Sequence, residues 1–219
     1  LTNNNIRWKA SNLQSSDREV FIPHKYCERI KVYSDDTRLF YLSPHTEWYN
    51  YQGDEMMALG LFDFAYRLPP LPEGTYEIRM GYSASTARHL VQVYLDNEVT
   101  GLPIDLRILG KDARIGWKDP KELDTEDKKV ANEKEMKNRG YLRGPMSFYN
   151  REKLRAWETD VCLRAVIATK HLSDRAHWLR FKNVLDTDDG NAQFMHDYFE
   201  IVPMSYLRDE SITTEEKRQ

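Results

Sequence analysis

The densest group of recognition-type residues in this chain is WYNYQGDE, Trp48 to Glu55. Trp48, Tyr49 and Tyr51 supply flat apolar rings, and Gln52, Asp54 and Glu55 supply hydrogen-bonding groups beside them. A sugar presents an apolar C–H face ringed by hydroxyls, so a ring flanked by an amide and carboxylates is the chemistry that would hold one. The stretch shows no strand alternation and reads as a shaped loop. These six residues are the candidate ligand-binding set. The competing reading is that Trp48 and Tyr51 simply cover one end of the fold.

Other chemistry is thinly signalled. The chain contains no GxSxG, HExxH, GxxxxGK[ST] or GxGxxG pattern, and these are the spacings that mark common hydrolase, zinc and phosphate sites. The six histidines, at 24, 45, 89, 171, 177 and 196, include no close pair at ligand spacing. They read as exposed or capping imidazoles, and no metal is expected. Thirty-five carboxylates produce apparent pairs by chance, so none is assigned a catalytic role. The acidic stretch DTDDG, Asp186 to Gly190, is similar to a fragment of a calcium loop but lacks the distal glutamate and reads as a β-turn. Cys27 and Cys162 are the only cysteines. They are either two buried thiols or one bridge, and separation along the chain does not decide between these. No cofactor is expected.

Composition sets the frame. With 40% hydrophobic and 31% charged residues over 219 positions, the chain can bury a core and keep a hydrated surface. The formal net charge is −3, and lysines and arginines are scattered among acids along the sequence. No basic field is expected, and nucleic acid is set aside as a partner. Thirteen tyrosines, eight phenylalanines and five tryptophans suit pleated strands better than helical bundles. No apolar run approaches the roughly 18 residues of a membrane-spanning helix, so no transmembrane segment is expected. No charged-then-apolar leader follows Leu1, so any targeting segment is expected to lie upstream or to have been removed.

The elements follow from periodicity. Residues 1–18 are polar and read as a leader strand or linker. From Leu61 to Leu68, Phe62, Phe64, Tyr66 and Leu68 alternate with polar neighbours, which predicts a half-buried strand. Pro69 to Gly74 must turn the chain, and a hairpin-like reversal is expected there. Strands are predicted around Tyr76 to Tyr82, His89 to Leu95, Asp160 to Thr169, His177 to Val184 and Phe194 to Val202. Their inward phase gives a predicted core of Phe62, Phe64, Tyr66, Ile78, Val91, Val93, Leu179, Phe181, Phe199 and Ile201. Residues 107–158, dense in charge and poor in core formers, read as an insertion into a single domain spanning 19–207. One helix is predicted in it, capped at Asp124 and ended by Gly140, with Glu133 and Lys137 as an i,i+4 pair. This insertion is expected to be solvated on most sides and loosely held, and 208–219 to form a flexible tail. Six or more strands without strand–helix alternation predict a mostly β, antiparallel β-sandwich of jelly-roll type with one helical, charged insertion.

The stretches FDFAYRLPPLPEGTYEIRMGY, RHLVQVYLDNEVTGLPIDLR, LRFKNVLD and FMHDYFEIVP resemble the region that follows fasciclin domains in surface proteins of Bacteroidetes. The same strand grammar is similar to galactose-binding-like jelly rolls and carbohydrate-binding modules. The resemblance implies a non-catalytic sandwich on an exported, lipid-anchored protein at the cell surface or outer membrane, with a role in adhesion or glycan contact. Its partners would be a glycan or another surface protein. Of the ligand residues in such modules, only Trp48 to Glu55 offers a match. Two other functions stand beside this one: a protein-contact or spacer domain, and, furthest from the motifs, a carbohydrate-active enzyme.

Overall fold

The computed structural model describes residues 6–9, 29–42, 50–51, 55–144, 148–149, 156–157, 159–185 and 193–211, with side chains over 29–39, 56–144, 159–185 and 193–211. In chain order the strands are β1 (Ile6–Lys9), β2 (Ile30–Val32), β3 (Arg38–Leu42), β4 (Asn50–Tyr51), β5 (Glu55–Leu59), β6 (Asp63–Arg67), β7 (Gly74–Ser83) and β8 (Leu90–Leu95). They continue as β9 (Glu98–Val99), β10 (Ile104–Asp105), β11 (Tyr141–Arg143), β12 (Phe148–Tyr149), β13 (Ala156–Trp157), β14 (Cys162–Leu172), β15 (Trp178–Asn183) and β16 (Phe194–Pro203). The helices are α1 (Glu126–Asn138) and α2 (Met204–Arg208).

Seven strands form one antiparallel sheet in the order β1-β3-β5-β16-β7-β14-β11, and β10-β8-β15-β6-β2 with β9 form a second. Strands β13, β12 and β4 make a small third sheet. The two large sheets pack face to face, so the molecule is an antiparallel β-sandwich. Their meeting layer is aromatic: Phe181 on the smaller sheet stacks on Phe199 of the larger at 5.4 Å, and Phe194 lies 5.1 Å from Phe181. Phe62, Phe64, Ile78, Val91, Val93, Leu179 and Phe181 are buried, and Tyr66, Phe199 and Ile201 pack partly buried against them. Alternation alone therefore located the core, because the side chains on each strand take turns between two faces.

One expectation about connection does not hold. Pro69 to Gly74 is not a hairpin: it carries the chain from β6 in the smaller sheet to β7 at the centre of the larger. Prolines suit that crossing because they have no N–H to leave unpaired between sheets. A true tight hairpin joins β8 to β9, where Asp96 and Asn97 take φ of 52° and 68°. Two consecutive left-handed residues match the right-handed twist of the strands they join.

The described part of the insertion with side chains, 107–144, is anchored rather than loosely held. Ile108, Ile115, Trp117 and Met136 belong to the main core, and Leu123 is buried as well. Helix α1 is capped by Thr125, whose hydroxyl accepts from the Lys128 amide at 3.4 Å, while Asp124 pairs instead with the Lys128 ammonium at 2.7 Å. Gly140, at φ 86°, follows the helix and ends it, as its sequence position suggested. The helix is then held by a buried amide: Asn132 donates to the Gly116 carbonyl at 2.7 Å and accepts from Arg143 at 2.8 Å. Gly116 sits at φ 84° with the Arg139 guanidinium where a Cβ would stand, so only glycine fits there. Lys137, near the end of the helix, reaches the Glu77 carboxylate at 3.4 Å.

Candidate functional site

Of the described histidines, His171 is exposed and His177 caps turns as expected, whereas His89 and His196 are buried in the core. His89, His177 and His196 are buried, and only His171 among the four described is exposed; His24 and His45 lie outside the described residues. His196 stands between the sheets, 4.6 Å from Phe194 and 5.9 Å from Phe181, and shares a 3.0 Å hydrogen bond with the Tyr66 hydroxyl. Burial among rings disfavours its charged form and pushes its pKa down to about 3. A bulge after His196 resets the alternation, so that His196, Phe199 and Ile201 all face inward. His177 ties two turns together, bonding Asp96 at 2.6 Å and the Ser173 carbonyl at 2.8 Å. Desolvation pushes the Asp96 carboxyl up, but bonds from His177 and the Trp178 amide outweigh it and hold it below the usual range. Among the described residues no group of three or more His, Cys, Asp or Glu is placed to hold a metal ion.

Of the sequence-predicted ligand set, Trp48, Tyr49, Gln52 and Asp54 lie outside the described residues. Tyr51 falls on β4, in register with Phe148 of β12, and Glu55 opens β5 opposite Leu42. The DTDDG stretch and Cys27 also lie outside the described residues; Cys162 is buried beside Val161 and Tyr198.

A different set is brought together on the outer face of the smaller sheet. Register places Lys31, Ala65, Arg180 and Tyr94 in one row across β2, β6, β15 and β8. Asp63, Lys182 and Gln92 form the next row on one side, and Arg67 with Trp178 the row on the other. Tyr33, just past β2, bonds its amide to the Asp63 carbonyl at 2.7 Å and its ring to the same face. The Arg180 guanidinium lies 4.4 Å from the Tyr33 ring centre and 5.1 Å from that of Tyr94. It grips both oxygens of Asp63, at 2.6 and 2.5 Å, and this bond raises the arginine pKa further above its ordinary value. Lys31 places its ammonium 3.8 Å from the centre of the Trp178 ring.

The face is open. Tyr33 is 47% exposed, Lys31, Arg67 and Lys182 are exposed, and Trp178 and Tyr94 are partly so. Its centre is rigid, because a bidentate arginine between two rings has few other places to go. What it can do chemically is hold: ring planes for apolar faces, cations for acids, and amide and carboxylate edges for hydroxyls. No window of the sequence displays this set, yet its signal is present. In WLRFKN and LVQVYL, the residues out of phase with the core are Trp178, Arg180 and Lys182, and Leu90, Gln92 and Tyr94.

Comparison with known proteins finds no matching family model and no matching curated protein. Among solved structures, a Paenibacillus xanthan lyase is similar over 80% of this chain, at 10% sequence identity and a TM-score of 0.46. This chain spans 12% of the lyase's length.

Proposed function

We propose that this chain is a non-catalytic domain that binds glycan and serves adhesion, as one part of an exported, fasciclin-type protein of the cell surface. One observation carries the binding reading: Tyr33, Tyr94 and Trp178 stand on an open sheet face around a fixed Arg180–Asp63 pair. Rings of this kind supply wide apolar planes at small entropic cost, and the fixed pair keeps their spacing. Asp63 has both oxygens engaged, so it is a positioning group rather than an acid or base offered to a substrate. Lys31 covers Trp178 through a contact worth about 0.5–1 kcal/mol at an exposed site, little enough for a sugar to displace. The surface location rests on the strand motifs that resemble the region after fasciclin domains.

A glycan array followed by calorimetry tests this. The expected affinity is millimolar to micromolar, about −4 to −8 kcal/mol. Trp178→Ala and Tyr94→Ala should each weaken binding tenfold or more while the domain stays folded. The loop Trp48 to Glu55 is the other ring-bearing candidate, and Trp48→Ala is the control. If Trp48→Ala abolishes binding and Trp178→Ala does not, the site belongs to that loop. If no glycan binds, the function proposed here is wrong.

A further inference from the structure

The outer face of the smaller sheet carries charge opposite to that of the whole chain. The formal net charge is −3, yet the outward positions of β2, β6 and β15 bring Lys31, Arg67, Arg180 and Lys182 together against one carboxylate, Asp63. That carboxylate is already spent on Arg180. Among the described residues, Arg67 and Lys182 pair with no acid, and Lys31 meets only the Trp178 ring. Exposed cations left without partners on one face, in a protein with acids to spare, form an electrostatic footprint. The sequence hides it, because these residues lie on strands up to 151 positions apart (31 and 182) and only the register assembles them.

Resting on the glycan reading above, we infer that the ligand of this face is an acidic polysaccharide bearing carboxylates, a polyuronate, whose sugar rings lie along Tyr94 and Trp178 while its carboxylates meet Arg67, Lys182 and Lys31. Neighbouring strands lie about 4.8 Å apart and successive outward residues on one strand about 6.6–6.8 Å apart. On that grid Lys31 stands one strand and one outward step from Arg67, about 8 Å, and Lys182 one strand and two outward steps from Arg67, about 14 Å, so each cation can meet a different acid of a chain that carries one per sugar. Arginine forks also fit a carboxylate with two parallel bonds, which a neutral hydroxyl cannot reproduce. Nucleic acid fits less well. Its phosphates are denser along a duplex than one acid per sugar.

The test is calorimetric titration of the whole chain with oligogalacturonate, with the same oligosaccharide after its carboxyls are reduced, with dextran sulfate and with oligo-dT. Oligogalacturonate should bind at least tenfold more tightly than its reduced form and lose affinity as salt rises. Arg67→Gln and Lys182→Gln should each weaken it roughly threefold to tenfold, leave the reduced form's affinity unchanged, and keep the fold, since both side chains are exposed. Equal binding of the reduced form overturns the acidic preference and leaves the glycan reading standing. Tighter binding of dextran sulfate or oligo-dT overturns the inference in favour of dense polyanions. If none of the four binds and the array is also blank, the glycan reading falls with it.

Discussion

On the outer face of the larger sheet, Glu77, Arg79, Arg164 and Glu200 stand on β7, β14 and β16; on the outer face of the smaller, Lys31, Arg67, Arg180 and Lys182 stand on β2, β6 and β15. Both sets arise from the same alternation, which turns every second residue away from the core. The first set is closed. Arg79 bonds Glu77 at 2.7 Å and Glu200 at 3.2 Å, Arg164 bonds Glu200 at 2.9 Å and the Arg143 carbonyl at 2.7 Å, and the side chains of Arg79 and Glu77 are 5% and 6% exposed. Tyr198 lies against Gly81 on the same face, its hydroxyl pushed up by burial. The second set is open, with cations in excess of acids. Matched and buried charges position elements of a fold, whereas unmatched exposed ones have no structural work to do and are available to a partner. The difference separates a face closed by its own ion pairs from one that leaves cations unpaired.

The comparison can be broken at its base by opening the layer between the faces. Phe64 is fully buried between the sheets, and Phe64→Ala should cost about 3–5 kcal/mol in denaturant unfolding. A cost under about 1 kcal/mol would mean that the strand phase assigned to both faces is wrong. Next in size is Arg79→Leu, which leaves Glu77 on the closed face with Lys137 alone and Glu200 with Arg164 alone. About 3 kcal/mol should be lost, because the buried Glu77 keeps its desolvation cost after losing its nearer partner.

His196 gives a smaller and pH-dependent effect. Its folded pKa of about 3 lies below the unfolded value near 6.5, so the unfolded chain binds the proton first. The stability tied to a neutral His196 is therefore complete above about pH 6.5 and declines as pH falls towards 3. By pH 5 the loss should be about 2 kcal/mol, and His196→Phe should flatten that part of the stability profile. An unchanged slope in the variant would place its origin elsewhere. Smallest of all, Lys182→Gln on the open face should shift unfolding by less than about 0.5 kcal/mol. A loss comparable to that of Arg79→Leu would erase the distinction between the faces.

The apolar half of this architecture was legible in the sequence and the polar half was not. Phe62, Phe64, Ile78, Val91, Val93, Leu179 and Phe181 alternate within short windows, so each strand declares its own inward face. Partnering is a long-range property. FDFAYRLPPLPEGTYEIRM reads as a hairpin because its two strands are adjacent in sequence, although they belong to different sheets. The insertion misled for a related reason: Ile115, Trp117 and Met136 are single apolar residues among charges, and no window around them looks like a core, yet each is buried. The face around Arg180 was missed because four strands each contribute only one to three residues to it. WYNYQGDE drew notice because its rings are consecutive, and consecutive residues are what a sequence displays best.

The central claim is that the smaller sheet's outer face, not the larger's, meets the ligand. Heteronuclear NMR of the chain titrated with oligogalacturonate tests it directly. Shift changes should concentrate at Lys31, Tyr33, Tyr94, Arg180, Lys182 and the Trp178 indole, with Arg79, Arg164 and the buried Trp117 indole unmoved. Changes confined to Arg79 and Arg164, or to residues 48–55 with the Trp178 indole unmoved, would contradict it.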